Sequence, residues 1–135
     1  MAREQCWILL GGVNELLWWG RMRRETIGDP ASVSFNPHYI LQREEKRGDV
    51  IGMFHTHPSF YASPSDRDHR TMRQWVSCLG KPLVCVIDGI DGLRAYWYMD
   101  DESDPIEASA VKELDNHIVG VTTGVRTAKS LSDCE

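Results

Sequence analysis

Residues 49–79 read DVIGMFHTHPSFYASPSDRDHRTMRQWVSCL, and they decide the fold that we expect. Asp49 to His55 is a largely apolar run with the length of a central strand, and Pro58 to Pro64 is an irregular segment rich in proline and serine. From Asp66 to Leu79 apolar residues recur with the 3.6-residue period of a helix, at Met72, Trp75, Val76 and Leu79. Gly80 is a natural end for that helix. The pattern therefore predicts a strand, a loop and a helix in succession.

Upstream of this unit we expect two strands and a helix. Gln5 to Leu10 is predicted as a mostly buried strand that ends at Gly11 and Gly12. Ala31 to Phe35 alternates apolar and polar residues, as a half-buried strand does. Pro37 to Lys46 is predicted as a helix that ends before Gly48. Between them lies a basic segment that we expect to be a solvated edge or loop, formed by Arg21, Arg23 and Arg24.

Downstream of the unit the pattern predicts a hairpin, a helix and a tail. Pro82 to Ile87 and Leu93 to Tyr98 are predicted as two strands joined by Asp-Gly turns. Glu107 to Leu114 is predicted as helical, and Val119 to Glu135 as polar and loose. We therefore expect one domain over residues 1–118, followed by a polar C-terminal tail over residues 119–135.

The composition excludes several function classes. A chain of 135 residues is long enough for one domain and too short for two. With 41% hydrophobic and 26% charged residues it has an ordinary globular composition. Its 15 basic and 20 acidic residues give a formal charge of -5, which provides no basic surface for phosphate backbones or anionic lipid. We therefore expect no nucleic acid partner. Since no run of about 18 apolar residues occurs, we also expect no membrane partner.

The cysteines indicate a reducing compartment. They are widely spaced, without a CxxC pair or the dense framework of small secreted domains, at Cys6, Cys78, Cys85 and Cys134. No secretory apolar region occurs near the start, so we expect a cytoplasmic protein with free thiols. Cys78 and Cys85 are expected to be small buried hydrophobes, whereas Cys134 in the tail stays open as an additional metal ligand.

Two histidines at the end of the predicted strand suggest a metal site. His55 and His57 lie two residues apart, so both imidazoles face the same side of a strand. A carboxylate from the next helix would give three protein ligands and leave one position open, as is typical of catalytic zinc. A zinc ion of this kind makes water reactive near neutral pH and polarises a carbonyl group. Asp68 is the candidate carboxylate, and Asp66 and His69 in the same turn stay open as rivals.

The same residues also have a structural interpretation. Ser65-x-x-Asp68 is the pattern of a capping box, in which the serine accepts from the third helical amide and the acid favours the helix dipole. Histidines at a strand end are often surface polar residues. The spacing alone therefore does not choose between a metal site and ordinary helix capping.

A family resemblance favours the metal site. His55-Thr56-His57-Pro58, six residues, Ser65, two residues and Asp68 match the pattern H-x-H-P-x6-S-x2-D without a gap. In this pattern the chain resembles the JAMM (MPN+ or Mov34/PAD-1) zinc metalloproteases, in particular small prokaryotic members, over roughly residues 4–98. The resemblance implies Zn²⁺ bound by His55, His57 and Asp68. It also implies an α/β fold of the MPN type, a cytidine-deaminase-like curled mixed sheet flanked by helices.

The resemblance also implies the catalytic groups. Glu4-Gln5-Cys6-Trp7-Ile8-Leu9-Leu10-Gly11 is similar to the family pattern E-x-C-G-x-L-x-G, with Trp7 in place of the first glycine. Glu4 is then the general base, and the Ser65 hydroxyl donates to the oxyanion of the tetrahedral intermediate. Glu15 and Glu25 stay open as alternative bases.

The function implied by the resemblance is deubiquitinase-like. We expect a zinc-dependent metalloprotease or isopeptidase that cleaves after the C-terminus of a ubiquitin-like protein, in deconjugation or precursor processing, beside E1- and E2-like partners. Removal of a cysteine from a sulfur-carrier protein and a phage-tail-type peptidase are alternatives within the family. A non-catalytic MPN scaffold and a metal-binding module without turnover are alternatives from other classes. A scaffold typically lacks the metal ligands, and none of them is lost here.

Overall fold

The computed structural model describes residues 5–13, 17–27, 37–115 and 118–122 of the chain. In these residues there are two helices, α1 (Pro37–Arg47) and α2 (Asp66–Leu79). There are also eight strands: β1 (Gln5–Val13), β2 (Leu17–Ile27), β3 (Val50–Thr56), β4 (Leu83–Gly89), β5 (Gly92–Tyr98), β6 (Ile106–Glu107), β7 (Val111–Asp115) and β8 (Ile118–Thr122).

The strands form one mixed sheet in the order β6-β5-β4-β3-β1-β2-β8-β7. The pair β3 and β4 is parallel, and the other described neighbours are antiparallel. Parallel neighbours need a crossover connection, and α2 supplies it between β3 and β4. The strand β3 therefore lies in the middle of the sheet, held by β1 on one side and by β4 on the other.

The sheet curls until its two halves touch. The indole Nε1 of Trp97 in β5 donates to the carbonyl oxygen of Thr122 in β8 at 2.7 Å, although five strand-to-strand steps of the sheet order separate these strands. Apolar side chains from both halves fill the enclosed space, among them Phe54, Val84, Val86, Ala95, Trp97, Val119 and Val121. The expected fold class, a curled mixed α/β sheet flanked by helices, is confirmed.

The outer face of the sheet is covered by the helices. Along β4 the side chains alternate, so that Leu83, Cys85 and Ile87 pack toward α2 while Val84 and Val86 face the interior of the curl. Helix α2 meets this face with the predicted apolar stripe: Met72 and Val76 are buried, and Trp75 and Leu79 are partly buried. Helix α1 contributes Ile40, which packs on Ile8 and Val50.

Helix α2 ends where the sequence predicts, and α1 ends one residue after the predicted Lys46. α2 begins after Ser65 and ends at Leu79, and Gly80 follows with φ +70°, a left-handed conformation that glycine adopts without steric cost. The amide of Gly80 donates to the carbonyl of Val76 at 2.8 Å and so satisfies one terminal carbonyl group. α1 ends at Arg47, directly before Gly48. These ends depend on local chemistry and need no partner element.

Two predictions about the first strands are wrong. β1 does not end at Gly11 but continues to Val13, because Gly11 and Gly12 pair with Gly20 and Trp19 of the neighbouring strand. The ladder of backbone hydrogen bonds to β2 outweighs the weak strand preference of glycine. The basic segment is not a loop, because it belongs to β2 and pairs with β1, at Arg21, Arg23 and Arg24.

The predicted C-terminal elements also need correction. Glu107 to Leu114 is not helical, since it contains the end of β6 and most of β7. The stretch from Val119 is not loose over residues 119–122, which lie in β8 with Val119 and Val121 buried. These segments pair with one another and with β2 and β5, across distances along the chain that a local pattern does not reveal.

The cysteines are partly as expected. Cys85 is buried, as predicted, and none of Cys6, Cys78 and Cys85 forms a disulfide bond. Cys78 is exposed rather than buried. It follows Val76 by two residues, which places it about 200° around the helix, on the side away from the sheet.

Several expectations fall outside the described residues. They concern Glu4, Glu15, the strand from Ala31 to Phe35, and Cys134. Neither α1, with 11 residues, nor α2, with 14, has the length and apolar character of a membrane-spanning helix, and the described part of the chain contains no other helix.

Candidate metal centre

The two histidines are held at the end of the central strand. His55 pairs with Cys6 of β1 and with Ile87 of β4, so its backbone is fixed from both sides. His57 follows the last residue of β3, and its amide donates to the carbonyl of Asp88 at 2.9 Å. This hydrogen bond extends the contact between the ends of β3 and β4 by one residue. Both imidazoles therefore start from a rigid backbone.

The first turn of α2 brings a carboxylate to the same place. The Ser65 hydroxyl accepts from the Asp68 amide at 3.1 Å, and the Ser65 amide donates to Asp68 Oδ2 at 2.9 Å. The predicted capping box is thus present. The same Oδ2 lies 3.2 Å from His55 Nε2 and 3.4 Å from His57 Nε2. Helix capping and the metal-site arrangement therefore use one carboxylate together.

The three side chains fit a tetrahedral metal ion. The Nε2 atoms of His55 and His57 are 3.0 Å apart, and each is within 3.4 Å of Asp68 Oδ2. Ligands at about 2.0–2.1 Å from zinc are separated by about 3.3–3.5 Å in a tetrahedron. Small adjustments would bring all three ligand atoms to zinc-binding distances. Among the described residues, His55, His57 and Asp68 form the one group of three or more histidine, cysteine, aspartate or glutamate side chains that could hold a metal ion.

The far side of each imidazole is also engaged. His57 Nδ1 lies 3.0 Å from the carbonyl oxygen of Tyr61. A carbonyl only accepts, so Nδ1 donates a proton to it, and Nε2 is the ring nitrogen that faces Asp68. His55 Nδ1 lies 3.9 Å from the Cys85 sulfur. Both rings therefore turn Nε2 toward the common centre.

The centre is buried and contains an ionised carboxylate. Among residues whose burial is described, His55, His57 and Asp68 are the buried polar or charged ones. Burial by itself raises the pKa of Asp68, but hydrogen bonds from His55 and His57 and from the Ser65 amide outweigh it and hold that pKa well below its usual range. Burial raises the pKa of the Cys85 thiol, so it faces His55 in its neutral form. Asp68 is thus ready to act as an anionic ligand.

The rival ligands from the same helical turn lie elsewhere. Asp66 is exposed to solvent. His69 Nδ1 lies 2.8 Å from the hydroxyl of Tyr98, a fully buried side chain whose pKa is raised by burial. The contacts made by Tyr98, Cys85 and the Tyr61 carbonyl could not be predicted from the sequence, because strand pairing and loop folding create them.

The proposed catalytic groups are only partly described. Glu4 and Glu15 lie outside the described residues, and Glu25 lies in β2 with its side chain not described. Ser65 is exposed beside Asp68, and its oxygen accepts from the Asp68 amide. Its own hydroxyl proton can therefore be donated to another group.

A cleft opens beside the metal centre. It has a volume of about 340 Å³ and is lined by Gln5, Thr56, His57, Pro58, Asp88, Gly89 and Ile90. His57 belongs both to the cleft wall and to the metal-binding group. A peptide in this cleft would lie next to the metal centre.

The fold and the centre agree with comparisons to known proteins. The chain belongs to the prokaryotic homologs of the JAB domain, whose family model it matches over residues 1–103. This match confirms the resemblance drawn from the histidine motif. The chain is also similar to desampylase of Pyrococcus furiosus, with 25% identity over 114 residues that cover 82% of this chain and 76% of that protein.

Proposed function

We propose that this protein is a zinc metalloprotease that hydrolyses the peptide or isopeptide bond after the C-terminus of a ubiquitin-like protein. The proposal rests on the ligand atoms of His55, His57 and Asp68, which lie within 4.8 Å of one another on buried side chains. Membership of the JAB-domain family and the similarity to desampylase support this substrate class. The complete ligand set favours an enzyme over a non-catalytic scaffold.

The residues of this chain would hold the metal and leave room for the substrate. His55, His57 and Asp68 supply three ligands, and the cleft beside His57 gives access to the centre. When bound, a zinc ion acidifies water and polarises a carbonyl group. The protonated Nδ1 of His57, bonded to the Tyr61 carbonyl, keeps Nε2 as the coordinating atom.

Glu4 is proposed as the general base. The segment from Glu4 to Gly11 resembles the family pattern E-x-C-G-x-L-x-G, and Cys6, two residues after Glu4, pairs with His55. The Glu4 carboxylate would accept a proton from the attacking water and pass it to the leaving amine.

Ser65 is proposed to stabilise the transition state. Its hydroxyl accepts from the Asp68 amide and is exposed at the mouth of the centre. The free hydroxyl proton would be donated to the oxyanion that develops on the scissile carbonyl. The hydrogen bond from the Asp68 amide fixes the position of Ser65 Oγ, and the proposed catalytic role uses the proton on the same hydroxyl.

Metal analysis tests the ligand set. We expect about one zinc ion per chain in the wild type and in Asp66→Ala, and loss of zinc in Asp68→Ala. Asp66 is the matched control because it is an exposed carboxylate two residues away in the same helical turn. A wild type without affinity for zinc, or equal zinc contents in the two variants, would exclude the proposed centre.

Cleavage of a fusion protein tests the reaction. The substrate is a ubiquitin-like protein extended beyond its C-terminus by a second protein, through either a peptide bond or a lysine isopeptide bond. We expect Glu4→Gln to retain zinc and lose cleavage, and Glu25→Gln to retain both. Loss of cleavage in Glu25→Gln alone would assign the base to that residue, and no cleavage by zinc-loaded wild type would refute the proposed function.

A cytoplasmic location and E1- and E2-like partners belong to the same proposal. Cys6, Cys78 and Cys85 form no disulfide bond, which is compatible with a reducing compartment. Reading frames for E1- and E2-like proteins beside the gene would support a conjugation pathway. Neighbouring genes for sulfur-carrier synthesis or for phage tails would instead favour one of the alternative substrates.

A further inference from the structure

One peptide group connects the metal centre to the hairpin between β4 and β5. The carbonyl oxygen of Tyr61 accepts from His57 Nδ1 at 3.0 Å. The amide of the next residue, Ala62, donates to Asp91 Oδ1 at 2.7 Å. The Tyr61 carbonyl and the Ala62 amide belong to the same peptide unit, which is planar and resists twisting. Its orientation is therefore controlled from both ends.

The hairpin also holds the chain on either side of this peptide unit. The amide of Ile90 donates to the carbonyl of Phe60 at 2.9 Å, and the hydroxyl of Tyr96 donates to the carbonyl of Ala62 at 2.6 Å. Gly89 packs so closely that a methyl group there would lie 2.4 Å from the Ala62 nitrogen. The loop after His57 is thus pressed onto the hairpin along three consecutive residues.

Asp91 is itself fixed. Its Oδ2 lies 3.4 Å from Nε of Arg94, while Oδ1 takes the Ala62 amide. Ala62 is fully buried, so its amide depends on Asp91 for a hydrogen-bond partner. A carboxylate that accepts from an amide also polarises the peptide unit and makes its carbonyl a stronger acceptor.

We propose that Asp91 is a positioning residue for His57, acting through the Tyr61–Ala62 peptide unit. The carboxylate fixes the direction of the Tyr61 carbonyl, and this carbonyl fixes the proton on His57 Nδ1 and the plane of the ring. Nε2 is then presented to the metal in a set orientation. The inference rests on the proposed function in so far as His57 is a metal ligand.

The test compares Asp91→Ala with Asp91→Asn in the full chain. Asparagine keeps an oxygen that accepts from the Ala62 amide, whereas alanine removes it, and both variants remove the charge. We expect zinc affinity, measured by competition with a chromogenic chelator, to fall about 10- to 100-fold in Asp91→Ala and less than about fivefold in Asp91→Asn. Arg94→Gln removes the ion pair but keeps the acceptor for the Ala62 amide, so it should weaken zinc binding less than Asp91→Ala does.

A spectroscopic measurement separates positioning from general destabilisation. Loaded with Co²⁺, Asp91→Ala should show a shifted visible absorption spectrum, and Asp91→Asn should show the wild-type spectrum. Equal zinc affinities in Asp91→Ala and wild type, or equal losses in the alanine and asparagine variants, would overturn the proposal.

The metal-free protein gives a readout that does not depend on the proposed function. In wild type and Asp91→Asn, nuclear magnetic resonance should detect a slowly exchanging proton on His57 Nδ1, and in Asp91→Ala it should exchange rapidly. If wild type binds no zinc but shows this difference, the proposed function fails and the positioning role stands. A slowly exchanging Nδ1 proton in Asp91→Ala would refute the positioning role, whether or not zinc binds.

Discussion

Replacing Gly89 by alanine should weaken metal binding without touching any ligand. The added Cβ would lie 2.4 Å from the Ala62 nitrogen and 2.6 Å from the Tyr61 carbonyl carbon. Ordinary contacts between such atoms begin at about 3.5 Å, so the loop must move away from the hairpin by about 1 Å. The atoms that must move belong to backbone rather than to a flexible side chain, so no rotamer change relieves the clash.

The movement has two consequences of known size. Overpacking of this kind costs about 1–3 kcal/mol of unfolding free energy. The hydrogen bond from His57 Nδ1 to the Tyr61 carbonyl, now 3.0 Å, would also stretch past the useful range of about 3.2 Å. Loss of such an outer partner of a metal-binding histidine typically costs about 10- to 100-fold in metal affinity.

Gly92 provides a control in the same hairpin. A Cβ at Gly92 meets nothing within 4 Å, but the residue has φ +107°, which is unfavourable for alanine. Gly92→Ala should therefore lower the free energy of unfolding without changing zinc affinity. Denaturant unfolding and chelator competition would be measured on both variants. If Gly89→Ala binds zinc as tightly as wild type, the hairpin does not support His57. Equal weakening in Gly92→Ala would assign the effect to general destabilisation of the hairpin rather than to the contact at Gly89.

Three further predictions concern stability. Arg43 donates two hydrogen bonds to Asp49, at 2.8 and 2.7 Å, and these lower the pKa of the Asp49 carboxyl from its usual value. Asp49→Asn should therefore lower the free energy of unfolding by about 1 kcal/mol at pH 6. This loss should shrink as the pH falls below about 4. A carboxyl group whose pKa is lower in the folded than in the unfolded state stabilises the folded protein at pH values above its unfolded pKa, and this stabilisation is lost as the pH falls through its folded pKa. If denaturant titrations from pH 6 to pH 3 show the same loss at every pH, the pair between Arg43 and Asp49 does not stabilise the fold in this way. Ser65→Ala should lower the unfolding free energy by about 1 kcal/mol and Ser65→Asn by less, since asparagine also caps helices; equal stability of alanine variant and wild type would argue against the cap. Met72→Ala should lower the free energy of unfolding by about 2–5 kcal/mol, because the Met72 side chain is fully buried. Cys78 is exposed, so Cys78→Ala should change this free energy by less than about 0.5 kcal/mol. Similar values for the two variants in thermal unfolding would contradict the assignment of Met72 to the buried face of α2 and Cys78 to the exposed face.

Features that depend on neighbours along the chain were readable from the sequence. The bounds of α2, its apolar stripe and the cap at Ser65 follow from the helical period and from hydrogen bonds spanning three or four residues. The common direction of His55 and His57 follows from strand alternation in the same way. Such features need only a short segment of chain to be stable, so the local pattern predicts them.

Features that depend on distant partners were mispredicted. Gly11 and Gly12 lie within β1 because β2 pairs with them, and β6, β7 and β8 exist because they close the sheet around Val119 and Val121. Taken alone, these segments have weak or contrary preferences. Backbone pairing and burial in the assembled sheet override those preferences.

By itself the sequence determined the ligand types, their spacing and the secondary structure on either side of them. Spacing alone left Asp66 and His69 open beside Asp68, and the family motif indicated Asp68. In the tertiary structure the capping hydrogen bonds and the packing of α2 turn that carboxylate toward the histidines. The link between His57 and Asp91, 34 residues later in the chain, through the Tyr61–Ala62 peptide unit is seen only in the tertiary structure. A hydrogen bond needs its atoms within about 3 Å, and for residues so far apart along the chain only the folded sheet brings them that close.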